Sequence, residues 1–273
     1  MRERLLSLTI YALSMGLGVA AFLYPFFLPA AQSDGMGQAH AGDAPLLLTV
    51  LVAICFGALL IEVQGQAGSA KMIALLGILV SINSLLRFVE VAIPGPGGFS
   101  PIFFLIVVTG YVYGGRFGFL MGSLTILVSA LITAGMGPWL PYQMFTAGWV
   151  GLTAPVCRLL VRTVRGQGRW REVLILAIFG GIWGLVFGSV MNLWFWPFAV
   201  GSSGEYWQEG MGVIEVVKHY AAFYVATSLV WDAMALVGNV TLTLAFGLPA
   251  LRALRRFQQR FAFSYQPLTQ VVG

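Results

Sequence analysis

Long apolar runs, separated by short breaks rich in polar residues, glycine and proline, dominate the sequence. A helix needs about 20 apolar residues to cross the hydrocarbon core of a bilayer. Such runs predict eight crossing helices, at residues 5–28, 45–62, 71–93, 99–114, 117–135, 141–162, 173–197 and 220–248. The fourth is short, but a single helix over 99–135 would be about 55 Å long and would bury Arg116 in lipid. We therefore predict a break at "GGRFG".

The first apolar run has a second interpretation as a signal peptide. Arg2 and Arg4 precede it, and "PAAQ" at residues 29–32 resembles a cleavage site. The run is longer than the apolar core of a typical signal peptide. A first membrane helix is therefore favoured.

The composition places these helices in lipid. Hydrophobic residues make up 59% of the chain and charged residues only 9%, which is too little charge to cover a water-soluble protein. The sequence thus predicts an all-α polytopic membrane protein. Cys55 and Cys157 both lie inside apolar runs, so we interpret them as packing residues rather than as a disulfide or a metal-ligating pair.

The distribution of Lys and Arg supports an even number of crossings with both termini in the cytoplasm, because cytoplasmic loops are enriched in these residues. With that topology, the cytoplasmic face receives Arg2, Arg4, Lys71, Arg116, Arg158, Arg162, Arg165, Arg169, Arg171, Arg252, Arg255, Arg256 and Arg260. Arg87 and Lys218 remain outside, where the loops carry Asp34, Asp43, Glu205, Glu209 and Glu215. The net charge of +5 then indicates anionic lipid head groups as partners rather than nucleic acid.

Three loops fall on the outer face in this topology: residues 94–100, 135–144 and 197–219. The second, "GMGPWLPYQM", has two prolines that restrict its backbone, and they favour extended geometry for Gly137 and Leu140. Such a loop would hold Trp139 and Tyr142 in fixed positions. The alternative is that these two rings are ordinary aromatic residues of the membrane interface.

Polar residues recur on helix faces beneath these loops. Asn83, Arg87 and Glu90 share one face of the third segment, where Arg87 and Glu90 can neutralise each other. Asn192 and Trp196 lie one turn apart in the seventh. A polar stripe follows the last segment, at Tyr224, Ser228, Asp232, Ala235, Asn239 and Thr243. Because an acid inside the membrane is costly without a partner, Asp232 indicates a polar network that is either structural or ligand-binding.

Small residues form a second pattern, which predicts close helix packing. Glycine recurs at every fourth position in two stretches, comprising Gly110, Gly114, Gly118 and Gly122, and Gly180, Gly184 and Gly188. Ala70 and Ala74 share a face at the start of the third segment. That pair leaves room for a partner helix.

Several kinds of chemistry are not supported by the sequence. The two lysines, Lys71 and Lys218, are not part of a GxxxxGK(S/T) nucleotide-binding loop. His40 and His219 are too isolated for an HExxH metal site, and no acidic pair has the spacing of paired-carboxylate catalysis. An ion-coupled carrier usually has several intramembrane acids, whereas Asp232 stands nearly alone.

Three stretches together resemble the substrate-binding S component of an energy-coupling factor (ECF) vitamin transporter. They are "TGYVYGGRFGFLMGSLTILVSALITAGMGPWLPYQM", "MNLWFWPF" and the basic tail "LRALRRFQQRF". The resemblance covers about residues 70–260. It implies a six-helix core with a basic cytoplasmic tail at residues 67–273, preceded by two additional transmembrane helices at residues 1–66.

The resemblance also implies a function. S components capture a vitamin at the outer face and dock on a transmembrane scaffold subunit driven by two ABC-type ATPases, so this chain would be a non-catalytic subunit without a cofactor of its own. Its location would be the plasma membrane of a prokaryote. The family's partner contact on its first core helix matches Ala70 and Ala74, and Gly77 and Ser81 offer a similar face further along the helix.

Cobalamin is the first ligand candidate, because cobalamin-type members carry similar GPWLP and NLWFWPF elements. The expected substrate-binding residues are Asn83, Arg87, Glu90, Trp139, Tyr142, Gln143, Asn192, Trp196, Tyr224 and Asp232. Some cobalamin-type members have an arginine where this chain has Ala235, which leaves Arg87 as a candidate charge partner for Asp232. Riboflavin or another aromatic vitamin is the alternative ligand. An ion-coupled secondary transporter and a membrane-embedded enzyme or assembly factor are the alternative functions.

Overall fold

A computed structural model describes residues 2–27, 42–63, 67–92, 100–163, 169–199 and 204–261 of the protein. Within these ranges the chain is helical and contains no β-strand. Its helices are α1 (Arg2–Leu23), α2 (Ala44–Val63), α3 (Ala67–Ala92), α4 (Ile102–Tyr113), α5 (Gly115–Thr133), α6 (Leu140–Thr153), α7 (Val156–Thr163), α8 (Arg169–Phe195), α9 (Val213–Thr227) and α10 (Leu229–Phe261). Short 3-10 turns follow α1 and α8, at Tyr24–Phe26 and Trp196–Phe198.

Five segments of the described chain are long and apolar enough to cross a membrane: Ala70–Ala92, Gly115–Thr133, Leu140–Thr163, Arg169–Phe198 and Leu229–Gln259. The described chain also contains three shorter apolar helices, which are Tyr11–Phe26, Ala44–Gly57 and Ile102–Tyr113. These eight segments coincide in order with the eight predicted crossings. The prediction of an all-α polytopic membrane protein is confirmed.

The short helix α4 is almost entirely surrounded by other helices. At 12 residues it is about 18 Å long, and ten of its residues, from Ile102 to Val112, are buried. A helix enclosed by protein does not have to match the thickness of the bilayer. The predicted break after α4 is also confirmed, because Gly114 separates α4 from α5 with a φ of 107° that favours glycine.

The last predicted crossing, residues 220–248, is wrong in its boundaries. The structure divides it into α9 and α10 at Ser228, whose φ of −132° and ψ of −24° interrupt the helix. The polar stripe from Tyr224 to Thr243 is therefore shared between two helices. A one-residue break leaves no mark in hydropathy, and the basic end of α10 continues the helix to Phe261, beyond the apolar run.

Glycines allow α5 to pack closely on α6, and α8 on α10. A Cβ atom at Gly122 would overlap the carbonyl group of Ala147, and one at Gly184 would lie 2.9 Å from the backbone nitrogen of Leu236. At these positions the prediction that the glycine repeats serve helix packing is confirmed. The prediction for the cysteines is also confirmed, because Cys55 and Cys157 are both buried free thiols.

The bundle has two chemically different ends. Arg158 donates to the carbonyl oxygens of Tyr111 and Val112 at the end of α4, and Arg255 pairs with Glu172 at the start of α8. We call this the basic end. The opposite end is the aromatic end, where Trp139, Trp194, Trp196 and Trp207 lie close to one another or to other rings.

The first and last crossings meet the basic end. The hydroxyl group of Tyr11, in the first half of α1, lies 3.5 Å from the carbonyl oxygen of Arg116, and Arg255 is near the end of α10. Helix α1 therefore runs from the basic end towards the aromatic end, and α10 runs in the opposite direction. The even number of crossings inferred from the charges agrees with this arrangement.

Helices α1 and α2 belong to the same hydrophobic core as the rest of the chain. Phe22 packs edge-on against Tyr142, with ring centroids 5.0 Å apart, and a Cβ atom at Gly18 would lie 2.6 Å from the ring of Trp149. Leu51 of α2 is fully buried in that core. The predicted boundary between residues 1–66 and residues 67–273 stays a prediction.

Candidate functional site

A cavity of about 480 Å³ opens at the aromatic end. Its wall is formed by the end of α1, by the 3-10 turn after α8, by residues 207–211 and by the first two turns of α9. The side chains that face it are mostly apolar and include Phe26, Trp196, Trp207 and Tyr220. It therefore offers large flat rings with a few polar atoms at their edges, which is the lining expected of a small-molecule site.

The rings of this wall are held by one another. The centroid of Phe26 lies 5.8 Å from that of Trp196 and 5.8 Å from that of Trp207, and Trp196 and Tyr220 are 5.0 Å apart. Trp196 is 1% exposed, and its indole nitrogen donates to the carbonyl oxygen of Glu205 at 2.9 Å. The aromatic wall is therefore largely preformed, which reduces the entropy lost on binding.

Two polar contacts attach α9 to the neighbouring elements. A ring nitrogen of His219 lies 2.9 Å from the carbonyl oxygen of Tyr206, and the hydroxyl group of Tyr220 donates to the carbonyl oxygen of Ser189 on α8. Burial raises the pKa of the Tyr220 phenol above its ordinary value, so the group stays a neutral donor at physiological pH. These contacts fix the side of the cavity that faces α9.

The stretch "GMGPWLPYQM" is only partly the loop that the sequence predicted. Helix α6 begins at Leu140, with Pro141 in its first turn, so the extended geometry predicted for Leu140 is wrong. Proline lacks the N–H that the first turn of a helix leaves unused, and its fixed φ is already helical. The signal interpreted as a stiff loop is therefore partly the start of a helix.

The predicted aromatic residues of this stretch lie outside the 480 Å³ cavity. Tyr142 is fully buried, and its hydroxyl group donates to Asp43 at 2.7 Å. Trp139 is 40% exposed and packs edge-on against Trp194 at 6.4 Å. The backbone nitrogen of Gln143 donates to the carbonyl oxygen of Trp139. Their contact with a ligand stays a prediction.

The predicted polar face of α3 is divided between two roles. Asn83 is fully buried and donates to the carbonyl oxygen of Ile102 at 3.1 Å and to Thr125 at 3.2 Å, so it joins three helices. Arg87 and Glu90 form the predicted ion pair at 3.4 Å. Ser100 adds a hydrogen bond of 2.9 Å to Glu90, whereas residues 93–99 lie outside the described part of the chain.

The remaining predicted residues lie between α8, α9 and α10. Asn192 bridges the hydroxyl groups of Thr227 and Ser228 across the break between α9 and α10. The carboxylate of Asp232 lies against Gly188, where any side chain would overlap it. Tyr224 is its neighbour on α9. Since Arg87 pairs with Glu90, the structure does not support Arg87 as the charge partner of Asp232.

Of the residues that line the cavity, Trp196 alone was predicted from the sequence, and the aromatic residues Phe26, Trp207 and Tyr220 are among those that were not. A signal was available for two of them. Trp207 lies in the outer loop 197–219, and Phe26 ends the first crossing on the same predicted face. In the described chain, no group of three His, Cys, Asp or Glu side chains is placed to hold a metal ion.

The predicted partner-binding residues form an exposed stripe. Ala70, Ala74, Gly77 and Ser81 all lie on one side of α3, and all four are exposed. A Cβ atom at Gly77 would meet no other atom within 4 Å. This surface of small residues would allow the backbone of another helix to approach closely.

Comparison with known families identifies the bundle. The family described as "ECF transporter, substrate-specific component" matches residues 71–256, which is more than half of the chain. The chain belongs to this family. Searches of curated proteins and of solved structures found no significant match. The protein is thus an S component, a substrate-binding and non-catalytic membrane subunit that works with other ECF transporter subunits. The match begins within α3, so α1 and α2 lie outside it.

Proposed function

We propose that this S component captures a vitamin at the outer face of a prokaryotic plasma membrane, with cobalamin as the first candidate. Partner subunits, a transmembrane scaffold and two ABC-type ATPases, would then drive import by hydrolysing ATP. The observation that carries the proposal is a preformed aromatic cavity at the end of the bundle opposite the arginines. Because arginine-rich ends face the cytoplasm, the cavity would open to the exterior, with both termini inside.

The size and lining of the cavity support a small organic ligand. Its volume of about 480 Å³ falls within the range of known ligand sites. Trp207 and Phe26 supply flat apolar surface, the almost fully buried Trp196 packs against Phe26, and Gln208 and Glu209 supply polar atoms at the rim. Planar vitamins would stack on these rings. No resident cofactor is required, because the vitamin is the cargo.

The sequence elements and the cavity volume favour different vitamins. The GPWLP and NLWFWPF elements favour cobalamin through their resemblance to cobalamin-type members. The cavity volume favours riboflavin or another aromatic vitamin of that size, because cobalamin is much larger than the space enclosed by the described residues. Cobalamin would have to extend beyond this cavity, towards Trp139 and Asn192.

Ligand titration tests the proposal. Purified protein without ATP or partner subunits should bind cyanocobalamin saturably, as measured by calorimetry. Saturable binding of riboflavin alone would select the second ligand. Binding of neither, together with uptake into vesicles driven by an ion gradient, would favour a secondary carrier instead.

A substitution at Trp207 tests whether the cavity is the binding site. Trp207→Ala removes a ring that lines the cavity and packs on Phe26, and we expect the dissociation constant to rise about tenfold or more. The control Trp231→Ala removes a tryptophan that is exposed on α10, and it should leave affinity unchanged. Equal affinities of both variants and the unsubstituted protein would place the vitamin elsewhere.

Asp232 is the residue on which the alternative of an ion-coupled carrier depends, and membership of the S-component family argues against that alternative. Its side chain is half-buried near the start of α10, where it lies against Gly188 and Tyr224. Intramembrane acids of this kind serve ion or proton pathways in carriers. Asp232→Asn would abolish gradient-driven uptake by a carrier, whereas in an S component its effect would be limited to vitamin affinity, which titration measures without any gradient.

A further inference from the structure

Two adjoining cavities at the basic end are lined by arginine. One, of about 350 Å³, lies between α7, α8 and α10 and is lined by Arg158 and Arg162. The other, of about 320 Å³, is lined by Arg169, Arg252 and Arg256. Glu172 and Arg255 line both, so the two spaces share a wall. We call them together the arginine cavity.

The charges in the arginine cavity are strongly unbalanced. Six arginines line it, and Glu172 is the one acid among the residues described there. Glu172 forms an ion pair with Arg255 at 2.9 Å, so these two charges neutralise each other. Arg162, Arg169, Arg252 and Arg256 pair with no acid in the described ranges. The cavity therefore presents several uncompensated positive charges to whatever enters it.

Two of the arginines are held in place by their surroundings. Arg158 donates to the carbonyl oxygens of Tyr111 and Val112 at 2.7 and 2.8 Å. The guanidinium groups of Arg158 and Arg255 both lie 5.9 Å from the centroid of the Tyr111 ring. Such contacts position guanidinium groups without neutralising their charge. The cavity is thus preorganised for an anion that accepts several hydrogen bonds.

An apolar surface adjoins this charge. On the short helix α7, Arg158 and Arg162 lie one turn apart on the same side of the helix. The adjacent side carries three exposed apolar residues, Val156, Leu159 and Leu160. Guanidinium groups bind phosphate oxygens in paired geometry, and exposed leucines in a membrane helix contact acyl chains. The combination of the two surfaces fits an anionic phospholipid better than a soluble anion.

We propose that the arginine cavity binds the phosphate group of an anionic ligand, with a phospholipid head group as the expected source. The acyl chains of that lipid would run along Leu159 and Leu160. Basic pockets between transmembrane helices are a recurring site for anionic head groups. This inference does not depend on the identity of the vitamin, because the site lies at the opposite end of the bundle from the aromatic cavity.

Thermal unfolding in a neutral detergent tests the site. One arm adds phosphatidylglycerol, with phosphatidylcholine as its uncharged comparison, and a second arm adds inorganic phosphate, with chloride at equal ionic strength. The test variant carries Arg162→Gln and Arg256→Gln, two exposed positions that should not affect folding. The control is Arg116→Gln, an exposed arginine at the same end that lines neither cavity.

We expect phosphatidylglycerol to raise the unfolding temperature of the unsubstituted protein and of Arg116→Gln at similar concentrations. The double variant should need about tenfold more lipid for the same shift. If inorganic phosphate also raises the unfolding temperature, and the double variant again needs about tenfold more of it, the phosphate site is supported and its ligand is a soluble anion. If the double variant retains the full response in both arms, or if no arm responds, the proposal is overturned. Vitamin titration of the same samples reports separately on the function proposed above.

Discussion

Tyr142 illustrates how a residue that resembles a ligand contact can be part of the core. Its ring packs on Phe22, and its hydroxyl group donates to Asp43 at the start of α2. A hydrogen bond to a buried or half-buried carboxylate contributes more than one between neutral groups. The residue therefore joins α1, α2 and α6 at the aromatic end.

Tyr142→Phe should lower the free energy of unfolding by about 1–3 kcal/mol and leave vitamin affinity unchanged. Denaturant unfolding followed by circular dichroism and calorimetric titration would measure the two quantities. Tyr113→Phe is a matched control, because it also loses one hydrogen bond, to the carbonyl oxygen of Leu254, but at the basic end. A loss of affinity in Tyr142→Phe alone would show that its hydroxyl group reaches the vitamin.

Asn83 is a second case of a predicted binding residue with a structural role. Replacing it by alanine leaves the buried carbonyl oxygen of Ile102 and the hydroxyl group of Thr125 without their donor. We expect a loss of about 1–3 kcal/mol in unfolding free energy and no change in vitamin affinity. Ser81→Ala, which removes only a bond to Gly77 within the same exposed helix face, should be neutral. Unchanged stability in Asn83→Ala would contradict the structural role.

The sequence identifies individual polar residues but not the side chains that they contact. Polar side chains in apolar helices stand out in any sequence, so Asn83 was identified on a polar helix face and Asp232 as a member of a polar network, whereas Tyr142 was identified as an aromatic residue of an outer loop. Their partners come from other helices, and hydropathy carries no information about which helices are neighbours. Sequence reasoning therefore found the polar residues but did not separate structural from ligand-binding roles.

Helix packing can be tested with a pair of glycines. Gly122→Ala places a Cβ atom on the Ala147 carbonyl, so α5 and α6 would have to separate, and we expect a loss of about 1–3 kcal/mol in stability. Gly77→Ala meets open space and improves helix propensity, so it should be neutral or slightly stabilising. Thermal unfolding of the two variants makes the comparison. Similar melting temperatures would contradict close packing of α5 on α6.

The exposed small-residue stripe of α3 is expected to contact a partner subunit. Ala74→Trp would block close helix approach, and we expect the amount of partner subunits that co-purify to fall about tenfold. Vitamin affinity should not change, because the stripe lies outside the aromatic cavity. Ile178→Trp, at an exposed position on α8, is the control. Equal loss of partners in both variants would show that bulk anywhere on the lipid-facing surface interferes with assembly.

The helices themselves followed from apolar run length, and the sixth crossing, predicted from residue 141, begins one residue earlier at Leu140. The extended geometry predicted for Leu140 was wrong because Pro141 was interpreted as a loop residue, although proline also favours the first turn of a helix. The break at Ser228 was missed because a Thr-Ser pair is also tolerated inside a membrane helix, where a hydroxyl group can bond a backbone carbonyl of the preceding turn, as Thr227 does to Phe223. Both features depend on backbone geometry rather than on solvent preference.

Across the whole molecule, charge was the strongest topological signal. Sequence positions alone assigned three distant groups of arginines to one membrane face, around residues 116, 158 and 255. The structure brings these three groups to the same end of the bundle. The cavity could not be located in the same way. It forms where the end of the first crossing meets residues 193–220, and hydropathy does not say that these two distant parts of the chain are neighbours.

The contribution of α1 to the aromatic cavity has a consequence for how the vitamin is retained. Leu23, Phe26 and Phe27 close one side of the space, and they precede the part of the chain that matches the family. A chain that started at α3 would leave this side open to lipid tails, so a bound vitamin could leak sideways into the bilayer. The end of the first crossing would thus act as a seal, and its aromatic content would set how long a captured molecule stays before it is delivered.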